Sequence, residues 1–542
     1  MSGDLRLVGE AQIVQNGTAA NPTTGTGKIL KDQQGNRSSY HYNYWSSPVT
    51  TNGTNYTLNG VLMDGTDSAT NLFNPSAITF GAGAYFADGA VTNPVKLSIR
   101  WMYKYTSVST AYAGWQYIGS TGTINIGEGF TMKGVTGIAP FTTPQNYVFV
   151  GKPNNGTIPL SISLNQSYLV GNPYPSALDA DEFIKDNIKD GAGRAATNIF
   201  NGALYFWDHF GGQTHILTQY IGGYSSYTLM GGVVAISNDP LINANGSMGT
   251  KVPKRYIPVA QGFFIGTGSN SALTGNNPGL STAVTGGTIN FKNSQRTFKI
   301  ESASNSVFFK SGNQIQTASD TIDTRQKIRL LYQSPSNIYR QILVGVDENA
   351  TDYFDVGYDA PIIDENAEDL YWKTTDTKLT IQGVSNFNLD QIVPLGLKTS
   401  TAGICTIKID TLENISEDTQ LYIHDAETGT DYDIKNADFS ISLPVGIYND
   451  RFSLRFTGSA LGTDNPSITN TFASISSHVI RIESIEFIKE ISLYDIAGKL
   501  INTYSPTEIS NQFSAAFNYP NGVYIAKITL GNDVVVTKKL IN

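Results

Sequence analysis

The sequence predicts an all-β protein made of tandem β-sandwich domains, and three observations carry that prediction. Only 15% of the 542 residues are charged while 53 are glycine, the profile of a chain rich in turns. Short runs that alternate apolar and polar residues recur along its length, bounded by Gly, Pro, Asn and Ser. One stretch, residues 179–188, carries a convincing helical pattern: Phe183, Ile184 and Ile188 share a face, acids fill the first turn and Gly191 stops it.

Residues 1–292 form the first β-rich region. Leu5, Leu7 and Val8 open a strand. Further on, Tyr40, Tyr42 and Tyr44 fall on one face of a strand, with His41, Asn43 and Trp45 on the other. Pro48 ends its pairing by removing a donor. A degenerate repeat follows. The first copy runs Trp45-Ser46-Ser47-Pro48, Trp101-Met102-Tyr103, Tyr117-Ile118-Gly119, Gly127-Glu128-Gly129-Phe130. The second runs Asn172-Pro173-Tyr174-Pro175, Tyr205-Phe206-Trp207, Tyr220-Ile221-Gly222, Ala260-Gln261-Gly262-Phe263. Four landmarks in one order predict two similar lobes, packed face to face or sharing a sheet.

Residues 293–458 predict a second sandwich, jelly-roll-like. Its strands include Lys327-Ile328-Arg329-Leu330-Leu331-Tyr332 and Gln341-Ile342-Leu343-Val344, and it closes on Pro444-Val445-Gly446-Ile447-Tyr448 before an alternating strand. Cys405, the one cysteine, lies in an apolar run and reads as a buried strand residue, so disulfides contribute nothing. Residues 459–470, small and polar and containing Pro466, read as a linker.

The net charge of -9 offers no basic stripe to nucleic acid, and no apolar stretch is long enough to span a membrane. No Gly-x-Ser-x-Gly elbow or phosphate-cradling glycine loop occurs, and the five histidines are scattered without metal spacing. No enzymatic activity is therefore expected. The acidic loop 347–365 could offer oxygens to calcium, with Asp355 and Asp359 as candidates. Its spacing is not that of an EF-hand, and solvated acids beside core aromatics are the commoner arrangement. The aromatic residues around Tyr40 to Trp45, Trp101 to Tyr105, Trp115 and Trp207 could stack on sugars. The competing reading is that they fill the core between lobes.

Residues 471–542 predict a small antiparallel sandwich. Leu493-Tyr494-Asp495-Ile496-Ala497-Gly498-Lys499 is a hairpin, with Asp495 bonding its own backbone and Gly498 supplying positive φ. Asn521-Gly522-Val523-Tyr524 forms a second turn. Gly531-Asn532-Asp533 leads into a last strand ending Lys538-Lys539-Leu540-Ile541.

These three pieces, in order, resemble the C-terminal sorting domains of the type 9 secretion system of Bacteroidota. That family pattern is hydrophobic-Tyr-Asp-x-x-Gly-Lys/Arg, then Asn-Gly-Val-Tyr, then Lys-Lys-hydrophobic. Here Leu493, Tyr494, Asp495, Gly498 and Lys499 match the first part, Gly522, Val523 and Tyr524 the second, and Lys538, Lys539, Leu540 and Ile541 the third. The chain departs from many members in having Ser476-Ser477-His478-Val479 where they carry Pro-Asn-Pro, which leaves the subtype and any sortase cleavage open. Gln33-Gln34-Gly35, Asn43-Tyr44-Trp45-Ser46-Ser47-Pro48 and Gly171-Asn172-Pro173-Tyr174-Pro175-Ser176 similarly resemble a module of large surface proteins in the same bacteria, one with no catalytic role attached.

The resemblance implies an immunoglobulin-like terminal domain that acts as an export signal. It would be recognised in the periplasm by the outer-membrane translocon, captured by its barrel shuttle protein and passed to a sortase or attachment complex. The closing hairpin would be the contact surface, with Lys538 and Lys539 as charged contacts and Leu540 and Ile541 as apolar anchors. The cargo would be adhesive or structural, secreted or held on the outer surface of a Gram-negative cell. A carbohydrate-binding module or part of a polysaccharide-acting enzyme is the alternative. Because Met1-Ser2-Gly3-Asp4 leads directly into a strand-like run, without a signal-peptide pattern, the chain is expected to be the C-terminal part of a longer protein, or a processed form with an added Met.

Overall fold

The computed structural model describes all residues except 1, 18–23, 68–70, 83–85, 108–111, 137–143, 269–282, 303–305, 308–322, 376, 459–470, 477, 485, 507–509 and 532–534. The linker read over 459–470 therefore lies outside the described residues. The fold is all-β and divides into two compact units, Met1–Gly458 and Ser459–Asn542. Among the described residues, no helix is long and apolar enough to cross a membrane.

In the first unit, the first and last landmarks of each copy lie on or beside paired strands. The strand Tyr42–Trp45 pairs antiparallel with Phe130–Lys133, placing Trp45 opposite Phe130. Ser167–Gly171 pairs in the same sense with Gly262–Gly266, placing Gly171 opposite Gly262. In each copy, the strand entering the proline segment thus pairs with the strand leaving the Gly-Phe turn. The two copies then exchange partners through bridges from Trp45 to Gln261 and from Glu128 to Val170. Ser46 N donates to Ala260 O at 2.9 Å, and Gly171 N donates to Gly127 O at 3.0 Å.

The polar residues at these turns suit their surroundings. Glu128 faces donors: the Tyr168 hydroxyl and Asn125 N reach its carboxylate at 2.8 Å each, and Lys104 Nζ at 3.3 Å. Gln261 faces acceptors, its amide donating to Gly262 O at 2.6 Å and Tyr44 O at 3.3 Å. A carboxylate can only accept and an amide nitrogen only donate, which accounts for the difference between the two copies.

Asp179 caps the helix Ala180–Asn187 by accepting from Asp181 N and Glu182 N, and it also holds Arg255 through paired bonds of 2.8–3.1 Å. A one-turn helix at Leu58–Val61 was invisible to periodicity, being only four residues long.

Residues 327–455 build an eleven-stranded sheet that runs from Thr430–Asp433 at one edge to Phe439–Leu443 at the other. Its neighbours pair antiparallel, except Tyr339–Val346 with Lys378–Val384. One hydrophobic cluster extends from Tyr44 to Phe456, so the regions read on either side of residue 292 share a core. Polar bonds cross there too: Arg329 donates to Gly232 O, Thr228 Oγ1 to Tyr358 O, and the Tyr205 hydroxyl to Pro361 O. Cys405 is fully buried.

The second unit has two sheets. Phe472–Ser476, Val479–Glu483 and Gln512–Ala516 form one; Leu500–Tyr504, Ile488–Asp495, Val523–Leu530 and Val535–Ile541 form the other, in that order. Ile480, Ile482, Ile491, Leu493, Phe517, Ala526 and Ile528 make the core between them.

The partner exchange requires close backbone approach at Gly262. A Cβ there would lie 2.8 Å from both Trp45 N and the Tyr44 carbonyl carbon. We expect Gly262→Ala to destabilise the first unit by about 1–3 kcal/mol in chemical denaturation. Gly3→Ala, with open space around it, should stay within about 0.5 kcal/mol of the parent.

Candidate functional site

The first matched motif folds as a closed turn. Ala497 N and Lys499 N donate to Asp495 Oδ1 at 3.0 and 2.9 Å. Gly498 N donates to Asp495 O, and Asp495 N to Lys499 O, both at 3.0 Å. Gly498 has φ of 79°, yet no heavy atom lies within 4 Å of where its Cβ would be. The glycine therefore serves backbone conformation and not close packing. Leu493 points into the core, Tyr494 and Asp495 are half-buried, and Lys499 is exposed. Ile496, 76% exposed, and Leu500, 51% exposed, add apolar surface that the motif comparison missed. The signal was an isoleucine inside the turn Asp495-Ile496-Ala497-Gly498, where a hairpin tip faces solvent.

The second motif is held from inside. Tyr524 is buried, packs edge-on against Phe517 at 5.0 Å, and donates its hydroxyl to Pro520 O at 2.6 Å. This is the geometry of a tyrosine corner. The first unit repeats it: the Tyr448 hydroxyl donates to Pro444 O at 2.7 Å within Pro444-Val445-Gly446-Ile447-Tyr448. The Pro-x-Gly-apolar-Tyr segment is thus a turn device common to both units. Gly522 is exposed and Val523 half-buried, and Gly522 exchanges backbone bonds with Asn542.

The last strand, Val535–Ile541, lies at the edge of its sheet and pairs with Val523–Leu530. Leu540 is 2% exposed, as is Val536. The expectation that Leu540 is a surface anchor is therefore corrected, because its side chain fills the core of its own unit. The same holds for Leu493 and Tyr524 as contact residues. Lys538 is half-buried and Lys539 exposed. The Ile541 side chain and residues 532–534, which include most of the expected Gly531-Asn532-Asp533 turn, lie outside the described residues.

The structure brings Asp355 and Asp359 together in a closed loop. Asp359 accepts from Gly383 N at 2.7 Å and from Asp355 N at 2.8 Å. Asp355 accepts from Thr351 N and Thr351 Oγ1. Their oxygens are engaged by the chain's own donors, and no group of three or more His, Cys, Asp or Glu residues among those described could hold a metal. Other acids of the loop sit in pairs: Asp347 with Arg325, Asp364 with Arg340, and Glu365 with Lys378 and Lys398.

The aromatic residues pack mostly inward. Trp45 and Trp207 are buried, while Trp101 and Trp115 are half-buried. Lys133 Nζ sits 4.0 Å from the Trp101 ring, 4.5 Å from Tyr42 and 4.8 Å from Tyr220, and donates to the Tyr220 hydroxyl at 2.8 Å. Burial pushes its ammonium down to about 7, although the three ring faces favour its charge. His41 and His209, distant in sequence, stack at 4.4 Å. Burial lowers both, His41 to about 4, so they pack as neutral rings near pH 7.

Burial also raises Asp355 to about 6, and it holds Asp359 well above the usual carboxylate range with help from the neighbouring Asp355 charge. A carboxyl that holds its proton more tightly when folded loses stabilising effect as pH rises through that interval. For Asp355 the window opens near the unfolded value of about 4 and closes at about 6. We expect Asp355→Asn to flatten the fall in denaturant stability across this window, and equal slopes in parent and variant would contradict the assignment.

Two family models match the chain: Domain of unknown function (DUF8693) over residues 1–456 and Domain of unknown function (DUF8694) over residues 461–542. The gap between them falls where the two compact units divide. No curated protein matches. A solved structure, CopC from Methylosinus trichosporium OB3b, is similar over 13% of this chain and 92% of that one, at 14% identity and a TM-score of 0.11, which carries no argument. The chain belongs, on the match over residues 1–456, to the family of Domain of unknown function (DUF8693).

Proposed function

We propose that the second unit is an export and attachment signal of the type 9 secretion system, and that the first unit is its adhesive or structural cargo. One observation carries this reading: the three matched motifs fall within a separately compact β unit, with the first at an exposed turn and the last on an edge strand. A signal gripped by one machine while its cargo varies needs that independence. The motif residues then take two roles. Leu493, Tyr524 and Leu540 hold the hairpins from within, and Asp495 and Gly498 set the first turn. Tyr494, Lys499, Gly522, Val523, Lys538 and Lys539 are the surface that the outer-membrane translocon and its barrel shuttle protein would read. Ile541 remains a proposed anchor. An edge strand also offers backbone groups for strand addition. A sortase or attachment complex would act afterwards at the cell surface.

A fluorescent carrier fused to residues 459–542 should reach the surface or medium only in a host with a working type 9 translocon. Retention in the periplasm of both hosts would remove the proposal. Within the fusion, Lys538→Glu with Lys539→Glu should leave the melting temperature nearly unchanged and reduce export. Gly498→Val should act through stability, costing about 1–2 kcal/mol from its left-handed backbone, with export falling only as far as folding does.

A further inference from the structure

The strand Gly446–Arg455 carries a wide bulge. Phe452 lies opposite Leu395 and Tyr448 opposite Leu397, so Asn449, Asp450 and Arg451 arch away over a single partner residue. Beside the arch is an open groove of about 450 Å³. Its floor follows from strand alternation. Val393, Leu454 and Ile423 point into the core, which sends Ile392, Arg455, Pro394, Ser453 and His424 to the opposite face. The register places Ile392 across from Arg455, and Pro394 across from Ser453, itself across from His424.

The charges in this groove are unevenly satisfied. The eleven-stranded sheet carries four arginines, Arg329, Arg340, Arg451 and Arg455. Arg329 pairs with Glu413, Arg340 with Asp364 and Asp369, and Arg451 with Asp425 and Glu427. Arg455 donates only Nε, to Ser453 Oγ at 3.3 Å, and has no carboxylate partner among the described residues. Its guanidinium fork is open to the groove, and such a fork matches a carboxylate with two parallel bonds.

Lys373 and Asp450 also line the groove and pair with each other at 2.7 Å, while other lining groups suit hydroxyls and a ring face. Asp352 uses one oxygen on Gln391 Nε2 at 2.6 Å, leaving the other. His424 donates Nδ1 to Asp431 at 2.7 Å, since a carboxylate can only accept, and this leaves Nε2. Ile392, 48% exposed, and the exposed Pro394 form an apolar platform beside these groups. No hydrogen bond joins His424 to Ser453 among the described residues, and the Ser453 hydroxyl instead accepts from Arg455 Nε.

We propose that this groove binds a carboxylate-bearing sugar residue of an acidic polysaccharide. Arg455 clamps the carboxylate, Asp352 and His424 take hydroxyls, and Ile392 and Pro394 meet the ring. The proposal stands apart from the role of the second unit, because all of its residues lie in the first.

Isothermal titration of the full chain with oligogalacturonate tests it, with neutral cello-oligosaccharide and poly-glutamate as comparison titrants. Oligogalacturonate should bind and cello-oligosaccharide should not, while poly-glutamate, which offers carboxylates without hydroxyls, should bind at least tenfold more weakly (about 1.4 kcal/mol). Arg455→Gln should weaken oligogalacturonate about 10- to 100-fold, the loss of a charge-assisted bond, with an unchanged melting temperature. Ile392→Asp, on an exposed position, should weaken it independently. Absent binding, binding indifferent to Arg455→Gln, or equal binding of either comparison titrant would each overturn the assignment.

Discussion

The first unit depends on the exchange between its two Gly-Phe turns. The strand Tyr42–Trp45 has period two, so Tyr44 enters the larger hydrophobic cluster while Trp45 enters the smaller one with Tyr147 and Phe149. Gln261 and Gly262 meet the backbone of that same strand. Phe263 beside them packs on Phe183 and Phe206 in the larger cluster. Two cores are thus tied by main-chain bonds at the place where their strands change partners. Side-chain repacking cannot loosen such a tie without breaking backbone bonds in a buried site, where unpaired groups are costly.

Local turn devices explain why a motif can identify a segment without marking a contact. The tyrosine corner at Pro520 and Tyr524 has a counterpart at Pro444 and Tyr448 in the other unit. Each precedes or opens a long strand and fixes the entry of that strand into its sheet. What distinguishes the terminal unit is therefore the conjunction of this corner with the Asp495 turn and the basic pair of the last strand, half-buried Lys538 and exposed Lys539.

Much of this was legible locally. Alternation showed the strands, Asp179 with its following acids showed the helix, and Asp495 with Gly498 showed a turn whose bonds are the ones observed. The order of the landmarks pointed to the like pairing of the first and last of them in each copy. The orientation of Leu540 was also available: Val536, Lys538 and Leu540 alternate onto one face, and two of the three are buried. Lys538 stays half-buried between them, as the long apolar stem of a lysine permits. The core shared across residue 292 was not legible, because Arg329 meets Gly232 from 97 positions away. Nor could composition show that Gly383 N occupies Asp359, since the donor is a backbone group on another strand.

Charge placement extends this logic from fold to surface. With a single buried cysteine, the first unit fixes its strands partly through desolvated ion pairs, such as Arg340 between Asp364 and Asp369. Burial still raises Asp364 to about 6 despite that arginine, so the pair contributes geometry more than net stability. The buried arginines of this sheet, Arg329 and Arg340, each have a carboxylate partner, whereas the half-exposed Arg455 donates to Ser453 Oγ. With no carboxylate partner for it among the described residues, the Arg455 guanidinium lines a concave, partly apolar groove, where solvent screens a charge less than on a flat surface. The contrast with the interior pairs is what singles out Arg455, the arginine of this sheet with no carboxylate partner among the described residues, as the proposed clamp for an external carboxylate.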